Sequence, residues 1–178
     1  AGKQRRQEEA ILAAAAEEFV SVGVRRASME QIAELAEVSR STLYRRFPSR
    51  DALVTAVGKS LRRALLADIT TALAGLNPRQ AVVTAFSLTV HEFRTDPLAR
   101  RLISDEPESF ELLVGLTGPN AEDLVALFSE AVASTLRQAG ASMPDDELRL
   151  AAEVMFRLIA SFAQTGSQAL NFDDDDAV

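Results

Sequence analysis

The stretch that decides the fold reads SMEQIAELAEVSRSTLYRRFPSRDAL and spans residues 28–53. It opens with Ser28 followed three residues later by Gln31, which has the form of a capping box and marks the start of a short helix. Only Glu37 and Val38 separate this helix from a second one. Two short helices joined so closely are typical of a helix-turn-helix, a motif whose second helix enters the major groove of DNA.

The second helix of this motif has two different sides. Ser39 can cap its start, Leu43 and Phe47 lie four residues apart on its inner side, and Pro48 ends it because the residue before a proline disfavours helical geometry. The opposite side carries cationic and hydroxyl groups, which suit a polyanion: Arg40, Ser41, Thr42, Tyr44, Arg45 and Arg46.

Residues 28–53, with Phe19 and Gly23 upstream, strongly resemble the DNA-binding segment of the TetR family of transcriptional regulators. The resemblance is specific, because apolar positions, caps, an aromatic residue and a basic residue must all agree in register. Two positions depart from the family pattern. Glu37 stands where many members have Gly, which strains the backbone if a positive φ is needed there, and Ser41 stands where many have Gly or Ala.

The resemblance implies a set of DNA contacts. The candidates are Ser28, Ser39, Arg40, Ser41, Thr42, Tyr44, Arg45, Arg46 and Arg50. Within this set the arginines of the second helix and Ser41 are candidates for bases or phosphates, and Thr42 and Tyr44 mainly for phosphates. Arg50 begins the next helix, whose positive end also points at phosphate. The alternative interpretation, in which these arginines only solvate a surface helix, is disfavoured by the register of the motif.

The distribution of charge agrees with a nucleic-acid partner, although the formal net charge of the whole chain is -7. Residues 1–63 hold 12 Lys and Arg against 8 Asp and Glu, whereas residues 64–178 hold 7 against 18. Charges are screened over about 8 Å at physiological salt, so a phosphate beside the N-terminal segment feels the local excess of positive charge. The acidic total therefore does not exclude DNA binding.

The rest of the chain is rich in Ala, Leu, Glu and Arg, has no strand-like alternation, and is predicted to be helical. The first helix spans about residues 4–22, and the fourth runs from a cap at Ser49 to about Leu76. Later helices start at Asn77–Pro78, Asp96–Pro97, Glu108, Asn120 and Asp145, and the last two span about 120–138 and 145–170. We therefore predict an all-α fold of about nine helices.

This organisation predicts a three-helix DNA-binding domain over residues 1–50, joined through a linking helix at about 49–76 to a second domain. Residues 51–172 form a helical bundle for ligand binding and dimerisation, and residues 173–178 form an acidic tail. The last two long helices are apolar on more than one side, so they need cover from their own domain and from a partner chain. The candidates for the dimer interface are Leu124, Leu127, Phe128, Ala131, Val154, Leu158 and Phe162.

A ligand pocket is implied by the resemblance and is only weakly supported by the residues themselves. Its candidate lining residues are Phe86, Val90, Phe93, Leu102, Phe110, Leu113, Leu116 and Met155. Apolar residues at helical spacing more often form plain core, so each position has two interpretations. The effector is expected to be largely apolar.

Other function classes find little support. The chain has no cysteine and one histidine, His91, so neither a metal site nor a cofactor is predicted. It lacks a phosphate-binding glycine loop and a nucleophile-base pair recognisable by spacing, so no catalytic residue is proposed and an enzyme is disfavoured. No apolar run is long enough to span a membrane, and a cytoplasmic location is expected.

These observations favour a ligand-responsive transcriptional regulator. Two chains would pair through their last two helices and hold their recognition helices about 34 to 36 Å apart, on a palindromic operator. A small molecule would release the DNA, and repression is the family's usual mode. The rival hypothesis is a dimeric, all-helical small-molecule-binding protein without DNA-binding activity.

Overall fold

The computed structural model describes residues 2–114 and 121–165, which form nine α-helices and no strand. The helices are α1 (Gly2–Val22), α2 (Met29–Leu35), α3 (Arg40–Arg46), α4 (Arg50–Ala72), α5 (Pro78–Thr95), α6 (Pro97–Asp105), α7 (Pro107–Val114), α8 (Ala121–Gln138) and α9 (Asp145–Thr165). The predicted all-α class is confirmed. No helix in these two ranges is both long and apolar enough to cross a bilayer.

Most helix starts agree with the predicted caps. Ser39 accepts a hydrogen bond from the backbone N–H of Thr42, and Ser49 accepts one from Ala52 at the start of α4. Asn77 and Gln80 form the reciprocal pair of bonds that defines a capping box at the start of α5. α7 begins one residue before the predicted Glu108, and α4 ends at Ala72, before the predicted Leu76. The predicted extension of α9 to residue 170 and the acidic tail lie outside the described residues.

The packing divides the described residues into two compact units, residues 2–62 with 97–114 and residues 63–96 with 121–165. We call them unit 1 and unit 2. In unit 1, α1 packs against α2 and α6, α2 packs against α3, and α6 packs against α7. Unit 1 therefore contains α6 and α7 in addition to the helix-turn-helix, whereas the sequence analysis divided the chain by function at residue 50.

The core of unit 1 follows the apolar spacing of its helices. Ile11 and Phe19 of α1, Ile32 of α2, Leu43 of α3 and Leu53 of α4 are all fully buried. Burial of side chains of this size stabilises a fold by about 1.5–3 kcal/mol each. The predicted inner faces of α1, α2 and α3 are thus the faces that the structure buries.

The core of unit 2 lies among α4, α5, α8 and α9. α8 and α9 run antiparallel, joined by the short loop of residues 139–144, and the rings of Phe128 and Phe156 meet between them with centroids 4.4 Å apart. Arg137 fastens this loop by donating hydrogen bonds to the carbonyls of Ala141 and Met143 and to the carboxylate of Asp145. The hydrogen bond and the positive charge of Arg137 hold the pKa of Asp145 below its ordinary value.

The turn between α2 and α3 contains the strained position that the sequence indicated. Glu37 has φ of 52°, and it alone among the described non-glycine residues has a positive φ. Its N–H bonds the carbonyl of Glu34, and the N–H of Val38 bonds that of Ala33. A left-handed conformation costs an L-residue about 1–2 kcal/mol, so the tight turn is formed against the preference of its glutamate.

We expect Glu37→Gly to raise the free energy of unfolding by about 0.5–1 kcal/mol, because glycine removes the left-handed strain but adds some chain entropy to the unfolded state. Glu34→Gly is the matched control: it removes the same exposed side chain from a helical position and should lower the free energy of unfolding by a similar amount. Urea unfolding of the three proteins measures both. A loss of stability in both variants would contradict the positive φ at Glu37.

Candidate nucleic-acid interface

The recognition helix α3 is held on unit 1 by its inner side. Leu43 and Phe47 are buried, as the sequence predicted, and α3 packs against α2, on which Met29 and Ile32 are buried as well. The opposite side of α3 is open to solvent at Arg40, Ser41, Tyr44 and Arg45. The helix therefore presents a polar surface with a fixed backbone beneath it.

Three hydroxyl groups gather at the N-terminus of α3. The Oγ of Ser39 lies 3.0 Å from the Oγ of Ser41 and 2.9 Å from the Oγ1 of Thr42, and it also accepts the N–H of Thr42 at 3.2 Å. Ser39 and Ser41 are exposed and Thr42 is half-buried. Hydroxyls can donate to phosphate oxygens as well as accept, so this cluster suits a DNA backbone.

The three arginines of α3 differ in what they contact. Arg45 forms no hydrogen bond or ion pair with any part of the chain that the structure describes. Arg40 is well exposed and lies 3.7 Å from Glu30, a loose contact. Arg46, in contrast, has a side chain only 20% exposed and pairs with Glu8 of α1 at 3.2 Å. The sequence placed Arg46 on the open side of α3, whereas the structure uses it to fasten α3 to α1.

The two candidates outside α3 lie at the ends of neighbouring elements. Ser28 is half-buried and caps α2 by accepting the N–H of Gln31 at 3.3 Å. Arg50 is the first residue of α4, is exposed, and donates from Nη1 to the carbonyl of Arg25 at 2.5 Å. Both residues belong to unit 1, together with α3.

Sequence reasoning missed Glu18, a carboxylate that supports this surface from below. Glu18 is buried in α1 and its Oε1 accepts the backbone N–H of Ser28 at 3.3 Å. It thereby takes the bond that Gln31 makes in a complete capping box. A signal was present, because Glu18 follows Ala14 by four residues on the apolar face of α1, where an acid needs a partner.

The candidate pocket residues are distributed over both units. Phe86, Val90 and Phe93 lie on α5 and Met155 on α9, all in unit 2, whereas Leu102 on α6 and Phe110 on α7 lie in unit 1. Val90, Phe93, Leu102 and Phe110 are buried, and Phe86 and Met155 are partly buried. Met155 packs against the core of unit 2. Leu116 and the side chain of Leu113 lie outside the described residues.

The candidate dimer residues separate into a buried set and an exposed set. Leu124 and Phe128, which the sequence assigned to the interface, are instead buried in the core of their own unit. They are four residues apart on one face of α8, and Leu127 lies at the edge of that face, turned by about 100° from Phe128 and about 60° from Leu124. Leu127, Val154 and Leu158 are about half exposed, and Ala131 and Phe162 are intermediate.

Leu150 completes the exposed set, although it was not among the predicted interface candidates. It is 61% exposed and precedes Val154 and Leu158 at four-residue spacing along α9. The sequence signal was present, since the three residues share one helical face. We call Leu127, Leu150, Val154 and Leu158 the outer stripe of unit 2.

Two family models match the chain. Residues 11–57 match the model of bacterial regulatory proteins of the tetR family, and residues 77–170 match the C-terminal domain of the bacterial tetracycline repressor. The first match contains the helix-turn-helix described above, and the second contains α5 to α9.

Individual relatives agree with these matches. The HTH-type transcriptional regulator RutR of Escherichia coli K12 is 34% identical over 131 residues, covering 70% of this chain and 58% of RutR. The regulator TcmR of Streptomyces glaucescens is 32% identical over 96 residues, covering 54% of this chain and 42% of TcmR. The chain thus spans less than two thirds of the length of these relatives.

The fold is shared with the TetR family repressor AlkX of Dietzia sp. strain DQ12-45-1b. The two structures align with a TM-score of 0.69 and 21% sequence identity, over 93% of this chain and 86% of AlkX. The predicted resemblance is confirmed by models that match both halves of the sequence. This chain belongs to the TetR family of bacterial regulatory proteins.

Proposed function

We propose that this chain is a DNA-binding transcriptional regulator, a repressor, that reads its operator with the exposed side of α3. The observation that carries the proposal is the recognition helix itself, which is held by Leu43 and Phe47 and presents Arg45 without any internal partner among the described residues. An unpaired guanidinium can bond a guanine edge with two donors or a phosphate with one. Membership of the family supports the same function.

The protein acts as a homodimer in this proposal, and the outer stripe of unit 2 is its interface. Leu150, Val154 and Leu158 are exposed at four-residue spacing on α9 and Leu127 is exposed on α8, and exposed apolar side chains of this kind favour cover by a partner. The ion pairs Glu130–Arg149 and Glu153–Arg157 lie on the same two helices and satisfy charges within one chain. A second copy can therefore bury the stripe without leaving these charges unpaired.

The switch is a small, largely apolar effector, for which the candidate residues of unit 2, Phe86, Val90 and Phe93 on α5 and Met155 on α9, are the proposed site. The regulator would exist in a DNA-binding and a DNA-releasing conformation. To move the equilibrium between them from 1:99 to 99:1, an effector must bind the DNA-releasing conformation more tightly by about 5.5 kcal/mol. A molecule that binds both states equally releases no DNA. Because a regulator must reach the chromosome, its place of action is the bacterial cytoplasm, and no catalytic role is assigned to it.

Selection of bound DNA from a random pool tests the proposed function. We expect a palindrome whose half-sites are separated by about one turn of B-DNA, 34 to 36 Å. The logarithm of the affinity for this sequence should fall with the logarithm of salt by about 0.9 for each phosphate neutralised. A small-molecule-binding protein without DNA-binding activity would enrich no sequence, and that result would reject the proposal.

Arg45→Ala and Arg46→Ala should affect operator binding differently. Arg45→Ala removes a free guanidinium and should lower the affinity by about 1–3 kcal/mol if it reads a base. Arg46→Ala breaks the pair with Glu8, so it should lower thermal stability slightly, by up to about 1 kcal/mol, and Glu8→Ala should do the same. Gel-shift titration and thermal unfolding of the three variants separate the two roles. Equal losses of affinity in Arg45→Ala and Arg46→Ala would contradict this division.

Val154→Asp should weaken dimerisation by about 100-fold or more, because an isologous interface would bury the new carboxylate twice. Val82→Asp is the matched control, since Val82 is a similarly exposed valine on α5 of the same unit but outside the outer stripe. Analytical ultracentrifugation over a range of concentrations measures the dissociation of both variants. A dimer unchanged by Val154→Asp would exclude the outer stripe as the interface.

A further inference from the structure

The turn between α1 and α2 is held by side chains that come from the distant α6–α7 corner. This turn comprises residues 23–28 and begins with Gly23, whose φ is +89°. A Cβ on Gly23 would lie 2.1 Å from the Oε1 of Glu106, a distance that real Cβ atoms do not tolerate. Glycine at position 23 thus serves the left-handed backbone and also the close approach of a carboxylate.

Glu106 is buried, with 7% of its surface exposed, and its carboxylate accepts two hydrogen bonds. Its Oε2 accepts the backbone N–H of Arg25 at 3.2 Å and the hydroxyl of Ser109 at 2.9 Å. A buried carboxylate is costly unless donors satisfy it, so these two bonds fix where the carboxylate lies. The carboxylate in turn fixes the backbone of Arg25.

Arg101 of α6 secures the other side of the same turn. Its Nη1 donates to the carbonyls of Val20 and Ser21 at 3.0 and 3.2 Å, and these are among the last carbonyls of α1, which have no partner within the helix. Its Nε lies 3.4 Å from the position of a Cβ on Gly23. The end of α1 and the turn after it are therefore fastened from α6 and from the residue that precedes α7.

Arg25 connects this clamp to the DNA surface through its own peptide groups. Its N–H donates to Glu106, and its carbonyl accepts from Nη1 of Arg50 at the start of α4. Within the described residues, that carbonyl is the one hydrogen-bond acceptor of the Arg50 guanidinium. Because Arg50 is exposed, its orientation depends on this one bond.

We propose that Glu106 is a positioning residue for operator binding: it sets the backbone of Arg25, and the Arg25 carbonyl orients Arg50 toward a phosphate at the N-terminus of α4. This inference rests on the proposed function and adds a residue from the α6–α7 corner to the DNA site. Arg50 keeps donors for phosphate, because a guanidinium has five N–H groups and the carbonyl uses one.

A double-mutant cycle between Glu106 and Arg50 tests the inference with the selected operator DNA. Removing a carboxylate from a DNA-binding protein ordinarily strengthens its attraction to phosphates. We expect the reverse for Glu106→Ala: affinity about five- to tenfold lower, and a salt slope smaller by about 0.9, which corresponds to one phosphate contact. In an Arg50→Gln background, Glu106→Ala should change neither quantity further.

Glu108→Ala is the matched control, because Glu108 is an exposed acid two residues further along, at the start of α7. It should leave the salt slope unchanged and should not lower the affinity. Thermal unfolding is measured for every variant. If Glu106→Ala does not fold, Glu106→Gln takes its place in the double-mutant cycle. Glutamine keeps the side-chain volume and one hydrogen-bond acceptor, so the loss of operator affinity and the change in salt slope should be smaller.

The results separate this inference from the proposed function. If the wild type selects and binds its operator but Glu106 and Arg50 act additively, Glu106 serves the fold alone and the inference is overturned. An Arg50→Gln variant with unchanged affinity and salt slope overturns it as well. If the wild type binds no DNA in a salt-dependent manner, the proposed function itself fails.

Discussion

Burial of Leu43 and Phe47 beneath α3 is the constraint on which the rest of unit 1 depends. These side chains, at i and i+4, fix the rotation of α3 about its own axis, so Tyr44 and Arg45 face solvent and Arg46 turns toward Glu8 of α1. A short helix of this kind would not persist alone, because nucleation is unfavourable and few turns follow it. Packing on α2, through the tight turn at Glu37, therefore makes the recognition surface a stable feature.

Two buried carboxylates have the same role at opposite ends of the α1–α2 turn. Glu106 accepts the N–H of Arg25, and Glu18 accepts the N–H of Ser28. In each case an ion that would be costly in an apolar interior is stabilised by backbone donors that also need partners. The turn thereby acquires a defined shape without regular secondary structure. That shape fixes the Arg25 carbonyl, which bonds Arg50, and the position of Ser28, which caps the start of α2.

In unit 2, the long helices α8 and α9 carry apolar side chains on an inner and on an outer face. Phe128 and Phe156 face inward and complete the core, whereas Leu127 and Val154 face outward. An apolar helix face that its own chain leaves uncovered favours association, since its burial is worth about 25 cal/mol per Å². A unit that covers its inner face alone leaves the outer face of α9 available for a second copy, which agrees with the dimer proposed above.

Besides marking Glu37 as a position that any positive φ would strain, the sequence by itself determined the local features: the helical class, the caps at Ser39 and Asn77 and the buried side of α3. These depend on neighbours a few residues apart, whose relative positions follow from helix and turn geometry. Only the tertiary structure decided that Arg46 pairs with Glu8 and that Glu106 bonds Arg25, partners 38 and 81 residues apart. It also decided that Leu124 and Phe128 belong to the core, because an apolar spacing shows that a face is buried but not what covers it.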